Sequence, residues 1–469
     1  MTTTSERLDT GAGNTRPWAR FRRAAVQPVN SASVAVYRIA FGIAMMVNVT
    51  LYVPVLVRQY YVDTDVHFPY GPIEFVPSPG LGIYLVYLGV FVAGALVAVG
   101  RWYRPAILTV FVLATWIFLL DSTYYQNHEY LVSALAFLML FLPLDARWSL
   151  DARRHPERAS GTVPAWVLWL LRFQIAIPYF YGGIAKLNSD WLQGEPLRRW
   201  LANRTEIEPI ATILTNEAVV WFMAYGALVL DLGIVFALLY KPTRMVGFVV
   251  ITIFHLMNVW LWGLFIFPWL MIAATTLFFE PDWPERVGRR LPARLMARGR
   301  EMLLVDPAAA RPPDRAVRRI PNALAAFLLV WCALQVVLPF RHYAIDGNPS
   351  WTEQGHRFAW HMKLRDKQGT ATFVVTTPDG TVERIDPWDH LAPKQAARLP
   401  GHPDRLAHFA RVLSDRYGGA EVRAETSVSL NGRAPQPIVD PTVDLSEVPR
   451  FEFGRAPWIL DLEQPLPRD

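Results

Sequence analysis

Apolar runs long enough to cross a bilayer recur along the first 340 residues, broken by short segments rich in arginine, proline and glycine. A helix needs about 20 apolar residues to span the hydrocarbon core. On that criterion spans are predicted near 33–57, 81–100, 105–120, 129–144, 164–185, 218–240, 244–262, 264–279 and 321–339. The 129–144 run is marginal, and 244–279 reads either as a hairpin or as one span with a re-entrant piece, which gives eight or nine helices. After Phe340 the pattern changes. Thr370–Thr377 is β-branched, meets the turn signal Pro378-Asp379-Gly380-Thr381, and continues as Val382–Ile385, which predicts a β-hairpin. Arg405–Arg416 places Leu406, Phe409, Ala410 and Leu413 at helical spacing, and Glu421–Leu430 alternates as another strand before a turn at Asn431-Gly432.

Charge orients this pattern. Arg16, Arg20, Arg22 and Arg23 precede the first span, Arg101 and Arg104 follow the second, and Arg147, Arg153, Arg154 and Arg158 follow the fourth. Lys241 and Arg244 follow the sixth, and the segment 284–319 holds ten arginines. All five regions fall on one side if the N-terminus is cytoplasmic, as the positive-inside rule requires. Residues 340–469 then lie outside the cytoplasm. The expected fold is a multi-pass α-helical membrane protein of about eight transmembrane helices with a C-terminal extracytoplasmic α+β domain. Its parts are a disordered cytoplasmic N-terminus (1–30), the bundle with its basic loop (31–339), and the α+β domain (340–469). An amphipathic stretch near 292–304 suits the inner leaflet.

Composition adds little beyond this. Hydrophobic residues make up 52% and charged residues 18%, as a membrane protein with a sizeable soluble part requires. The net charge of +6 belongs to the loops, so no nucleic-acid partner is implied. Residues 1–30 are polar and arginine-bearing, so no cleavable signal peptide is expected. Cys332 is the only cysteine, which excludes an intrachain disulfide, and no zinc, haem or phosphate-loop spacing occurs.

Polar residues inside apolar helices are costly and mark function by default. Lys186 stands out, at the end of the run Trp166–Ile184 in a chain with 46 basic residues, of which only Lys186, Lys241, Lys363, Lys367 and Lys394 are lysine. A desolvated lysine can lose its proton and arginine cannot, so the choice suggests a base; the plain alternative is a lysine snorkelling to the headgroups. Asp121 and Asn127-His128 follow the third span, Asp231 lies in the sixth, and His255 with Asn258 lies in the seventh. Asp121 either caps the next turn or belongs to a site. His128 is either a site residue or an interfacial histidine with a satisfied hydrogen bond. Asp231 reads as a structural partner for an arginine or a backbone donor, and His255–Asn258 as a site pair or an interhelical hydrogen-bond pair. Asp121, His128 and Lys186 fall at one depth, where Gly182-Gly183 would admit a flat ligand or a second backbone. Tyr179, Tyr181, Trp191 and Phe254 are expected to wall an apolar cavity there.

Several of these segments resemble the vitamin K-dependent gamma-carboxylases and the bacterial HTTM proteins related to them. They are Leu119–Leu131, Tyr179–Gly194, Leu230–Arg244 and Phe254–Asn258, continued by Trp351-Thr352-Glu353, Phe358-Ala359-Trp360, Ser429–Arg433 and Asp440-Pro441. The specific pieces are Gly183-x-x-Lys186-Leu-x-x-Asp190-Trp191 and Asn127-His128-x-Tyr130-Leu131. The resemblance implies an enzyme that couples oxygenation (epoxidation) of a reduced naphthoquinone to proton removal from a glutamyl side chain, whose carbanion captures carbon dioxide. It implies Lys186 and His128 as catalytic residues. Asn127, Asp121, His255, Asn258, Tyr179, Tyr181 and Trp191 are then the quinone-binding or supporting set. The lysine would deprotonate only the hydroquinone hydroxyl, oxygen addition then making a base strong enough for a carbon acid. The implied cofactor is reduced vitamin K (phylloquinol or menaquinol), with oxygen and carbon dioxide as co-substrates and no metal. The implied partners are membrane lipids, the quinone and a glutamyl protein substrate. The arginine-to-lysine ratio and the richness in alanine and proline suggest a high-GC bacterium, hence a menaquinone and a bacterial plasma membrane. The single cysteine departs from the disulfide expected of lumenal relatives. The mammalian enzymes are longer, so nothing is carried over about propeptide binding.

Three classes of function are thus in play. The first is the epoxidase–carboxylase, with epoxidation ahead of carboxylation. The second is a quinone- or lipid-binding membrane protein without turnover, which would have no need of Lys186 with Asn127-His128. The third is a transporter with Asp121, His128 and Lys186 as a relay, which paired broken helices or inverted repeats would favour and the sequence lacks.

Overall fold

The computed structural model describes residues 17–71, 73, 76–203, 210–290, 321–450 and 454–467. The N-terminal segment through residue 16, the basic loop from 291 to 319 and the amphipathic stretch at 292–304 lie outside the described residues.

Among the described residues, seven helices are long and apolar enough to cross a membrane: Ala32–Val62, Gly80–Val99, Tyr103–Leu120, Ala165–Ala185, Glu217–Leu239, Arg244–Trp262 and Asn322–Ala344. A shorter apolar helix covers Phe267–Phe278, and another covers Asn127–Met139. We number the membrane helices α1 (Ala32–Tyr52), α2 (Ile83–Val99), α3 (Tyr103–Leu120), α4 (Asn127–Met139), α5 (Ala165–Ala185), α6 (Glu217–Leu239), α7 (Arg244–Trp262), α8 (Phe267–Thr275) and α9 (Asn322–Val337). The marginal 129–144 run is thus a short helix of 13 residues. The first span outlasts its expected end at 57, because α1 continues as a ten-residue π-helix, Val53–Val62. Pro54 lacks an N–H to donate, and a locally widened helix accommodates that loss without breaking.

Arginine closes one end of the bundle. Buried Arg38 on α1 donates to the carbonyls of Ala98 at 2.8 Å and Leu144 at 3.1 Å, and also to Val97 and Trp148. Arg101 pairs with Asp151 at 3.0 Å, and Arg244 with Glu280 at 3.0 Å. Nearer the middle, Gln174 on α5 donates to Gln335 on α9 at 3.1 Å, and the Trp331 indole donates to Gln174 at 2.9 Å. These bonds satisfy polar groups that hydrocarbon cannot.

The opposite end carries the C-terminal domain. Strands β1 (Lys367–Thr376), β2 (Val382–Ile385) and β3 (Glu421–Leu430) form an antiparallel sheet in the order β2-β1-β3. The predicted hairpin is present, with Thr376 opposite Val382. Helix α10 (Pro403–Arg416) covers one face, its Phe409 meeting Phe373 edge-on with ring centroids 5.1 Å apart. The domain grips the ends of α3 and α4. Gln395 donates to Asp121 at 2.7 Å, Arg398 to the Thr123 carbonyl at 2.7 Å, and Asn127 to the His361 carbonyl at 3.2 Å. The segment from His356 to Lys367 therefore runs as a strap across this end of the bundle.

Candidate functional site

Lys186 caps α5 and turns its side chain inward. Nζ donates to Asp231 Oδ2 on α6 at 2.7 Å and to the Gly182 carbonyl at 3.1 Å, and it lies 5.2 Å from the Trp191 ring. Only 5% of Lys186 and 3% of Asp231 is exposed, so the amine does not reach out to headgroups. The approach of α5 and α6 depends on Gly182-Gly183. A Cβ on Gly183 would come within 2.7 Å of the Leu232 side chain and 2.9 Å of its backbone nitrogen, and one on Gly182 would sit 3.3 Å from Asp231 Oδ2. Gly183→Ala is therefore expected to destabilise the protein by about 1–3 kcal/mol through overpacking, read as a lower Tm in detergent. An unchanged Tm would mean that α5 and α6 can part at no cost.

The amine opens on an apolar cavity of about 860 Å³, mouth included. Its walls come from α5 (Pro178, Tyr179), α6 (Met223, Ala227, Asp231), α7 (Phe254, His255, Met257, Asn258) and α8 (Phe267, Met271), with Trp191, Trp200, Met362 and Lys363 over the top. Tyr179 and His255 meet at 2.7 Å between the hydroxyl and Nε2, while His255 Nδ1 is buried with no protein partner. An ammonium has three donors and a buried polar atom seeks a partner. The two used bonds of Lys186 and the orphaned Nδ1 of His255 thus leave two polar groups for a ligand. A flat apolar molecule carrying oxygen substituents fits this chemistry.

Directly above lies a polar chamber of about 1230 Å³, sharing Trp200 and Lys363 with the apolar cavity. Arg357, Lys363, Arg365, Lys367, Arg398 and Arg405 line it against one lining carboxylate, Asp366. Glu353 sits behind, 2.7 Å from Lys367 and 2.8 Å from Arg365. Burial pushes its carboxyl up, but Arg365, Lys367 and His402 outweigh burial and hold it well below the usual carboxylate range. Burial lowers Lys367 to about 8, with Glu353 opposing that shift. Burial, reinforced by His342 and Arg365, pushes His361 down to about 3, and burial with Arg365 nearby likewise holds His356 low. Neither ring nitrogen of His356 or His361 has a protein partner. Neutral imidazoles among guanidinium groups make a chamber suited to carboxylates. The strap that divides the two spaces has positive φ at Phe358 (61°), Trp360 (60°) and Lys363 (54°), a backbone that side chains of this size seldom adopt.

The residues singled out from sequence separate into groups. Lys186, Tyr179, His255, Asn258 and Trp191 line the apolar cavity. Asn127 lines the polar chamber instead, accepting from the Tyr125 hydroxyl at 2.9 Å. His128 lines neither space; its ring stacks on Phe267 at 5.4 Å, and Phe267 is the cavity wall. Two placements correct the expectation. Asp121 does not border the cavity, because its carboxylate caps the following turn at Thr123 N (2.7 Å) and accepts from Gln395. Tyr181 faces away, its hydroxyl bonded to the Val336 carbonyl on α9, since two residues along a helix turn a side chain through about 200° from Tyr179. The cavity accordingly lies among α5, α6, α7 and α8, without α3. Asp231 is corrected too: its partner is Lys186, not an arginine or a backbone donor. Sequence reasoning missed Lys363 and Lys367, yet the scarcity of lysine that marked Lys186 marks them equally. Among the described residues no group of three or more His, Cys, Asp or Glu side chains is placed to hold a metal.

A buried lysine–carboxylate pair thus stands at one end of an apolar cavity among the membrane helices, beneath a cationic chamber formed with the C-terminal domain. The chain matches the HTTM domain over residues 26–283 and the vitamin K-dependent gamma-carboxylase lumenal domain over residues 320–465. It belongs to the vitamin K-dependent gamma-carboxylase family. It is thus a carboxylase-like membrane protein, with vitamin K as the cofactor and glutamyl side chains as the substrate class that membership implies. No solved structure matches the chain.

Proposed function

We propose that the protein couples oxygenation of a reduced naphthoquinone in the apolar cavity to carboxylation of glutamyl side chains presented in the polar chamber. One observation carries this reading: Lys186 Nζ, held by Asp231 at 2.7 Å, faces a cavity walled mostly by apolar and aromatic side chains, with His255 and Asn258 as polar exceptions and Lys363 over the top. The hydroquinone supplies, when bound, the reducing electrons whose reaction with oxygen yields a base strong enough for a carbon acid. The chain's own groups do the rest. Lys186 takes a hydroxyl proton and Asp231 holds one. A proton passed from Lys186 to Asp231 leaves a neutral amine beside a neutral acid, with no change of net charge in the cavity. His255 orients an oxygen substituent through Nδ1, and Tyr179 fixes the imidazole from the other side. Trp191 and Met362 exclude water from the amine. Above the strap, Arg365, Arg398 and Arg405 hold the glutamyl carboxylate, and carbon dioxide meets the carbanion at the junction marked by Lys363. His128, behind Phe267, supports the cavity wall from α4.

The test is an assay of purified protein with reduced vitamin K, oxygen and a glutamyl peptide, following epoxide and fixed carbon dioxide separately. Both products support the full reading. Epoxide alone supports an epoxidase without carboxylation, and neither product supports a quinone-binding protein without turnover.

We also place the chain in a bacterial plasma membrane with its N-terminus cytoplasmic and residues 340–469 outside, on the arginine asymmetry of its loops. A reporter active only in the cytoplasm is expected to stay silent when fused to the C-terminus; a signal from it would invert the topology.

A further inference from the structure

Asp190, four residues beyond Lys186, turns both carboxylate oxygens to the C-terminal domain, with Oδ1 also accepting from the neighbouring Ser189 hydroxyl at 3.2 Å. Arg433 donates from Nη1 to Oδ2 at 2.6 Å and from Nη2 to Oδ1 at 2.8 Å, and Asn431 adds Nδ2 to Oδ2 at 2.8 Å. Burial raises the Asp190 carboxyl, but Arg433 and Asn431 more than offset that and hold it below its usual range. The next residue is Trp191, whose ring covers the Lys186 amine. Its indole N–H donates to the Ala224 carbonyl on α6 at 2.9 Å, and its backbone N–H to Asn188 Oδ1 at 3.0 Å. The one-turn helix Ser189–Leu192 is therefore pinned twice, by its carboxylate to the C-terminal domain and by its indole to the bundle. Asn431 reaches further. Its Oδ1 accepts from the Asp366 N–H at 2.7 Å, in the strap that carries Lys363.

A bidentate arginine–carboxylate pair fixes direction as well as distance, whereas a buried ion pair is by itself weak evidence of stability. This one joins residues 243 positions apart and ends one residue from the ring over the amine. We propose that Arg433 and Asn431 are positioning residues for Lys186. By orienting Asp190 they hold the Trp191 ring over the amine, so that the C-terminal domain completes a site whose reacting groups lie in the bundle. This rests on Lys186 being the base.

The test is a double-mutant cycle between Arg433→Ala and Trp191→Leu, with Arg384→Ala as control, since Arg384 pairs with Glu425 on the exposed sheet. Two readouts are taken: kcat and KM for epoxide, and the rate at which a small amine-reactive reagent labels Lys186, mapped by peptide mass spectrometry. Arg433→Ala is expected to lower kcat on the order of 10²-fold with little change in KM, as small misplacements beside reacting groups do. Lys186 labelling should rise severalfold as the ring loosens, and the double variant should be no worse than Trp191→Leu alone. Additive losses, or a folded Arg433→Ala protein with normal kcat and normal labelling, would overturn the proposal. If the alanine variant is not recovered, Arg433→Lys, which keeps the charge but not the fork, should show the same changes in smaller measure; unchanged kcat and labelling in it would also overturn the proposal. Wild-type protein that makes no epoxide would refute the proposed reaction, and the labelling cycle would still decide the positioning role.

Discussion

Lys186→Arg is expected to lose epoxide formation as completely as Lys186→Ala, with kcat falling on the order of 10²–10⁴-fold or more, the range lost with a general base. The arginine variant is the more telling. A guanidinium can keep the ion pair with Asp231, and so keep the fold, yet it cannot give up its proton. Quinone binding should persist in both variants, because the aromatic and methionine walls remain. A small amine added to Lys186→Ala should restore part of the rate by filling the vacated space, and the rescue should grow with pH as more of the amine becomes neutral. A snorkelling lysine predicts the reverse, since arginine reaches headgroups as well as lysine does. The side chain already argues against that alternative, turned toward Asp231 and 5% exposed. Wild-type turnover in a folded Lys186→Arg protein would end the assignment of Lys186 as the base.

How much of this was legible in the sequence follows from what each feature depends on. The long spans could be read because twenty apolar residues in a row have few other uses, and the hairpin because Pro378–Thr381 is a local turn signal. The π-helical extension through Val62 could not, since the apolar run gives way to Arg58-Gln59 before the helix ends. Lys186 could be singled out from residue choice and its place at the end of an apolar run, with a snorkelling lysine left as the alternative. Its partner could not, because the pairing of Asp231 with Lys186 depends on which faces of α5 and α6 meet, and that is set by Gly182-Gly183 lying against Leu232. Membership in one segment likewise said nothing of facing: Tyr179 lines the cavity and Tyr181 turns to α9. The strap from His356 to Lys367 was the least legible part. It follows neither period, and it is held by contacts with the bundle: Tyr125 and Tyr130 meet the positive-φ residues Phe358 and Trp360, and Asn127 bonds the His361 carbonyl.

Removing Asp231 separates what the ion pair does for the fold from what it does for the reaction. Asp231→Leu leaves the Lys186 ammonium buried without a counter-charge and is expected to destabilise the protein by about 3–5 kcal/mol. Lys186→Met alone strands the carboxylate and should cost a similar amount. The double variant Lys186→Met/Asp231→Leu carries neither charge into the cavity and should recover most of the lost stability, read as Tm in detergent, while making no epoxide. Asp231→Asn is the complementary case. It keeps the size of the side chain and an acceptor oxygen for Nζ, but it can no longer take a proton. If Asp231 is where the amine sheds its proton, epoxidation should fall on the order of 10²-fold or more, with the hydroquinone still bound. Full turnover in Asp231→Asn would mean that Lys186 discharges its proton by another route and that the pair serves only to fix the amine. A double variant as unstable as Asp231→Leu would show instead that packing between α5 and α6, not uncompensated charge, dominates the cost.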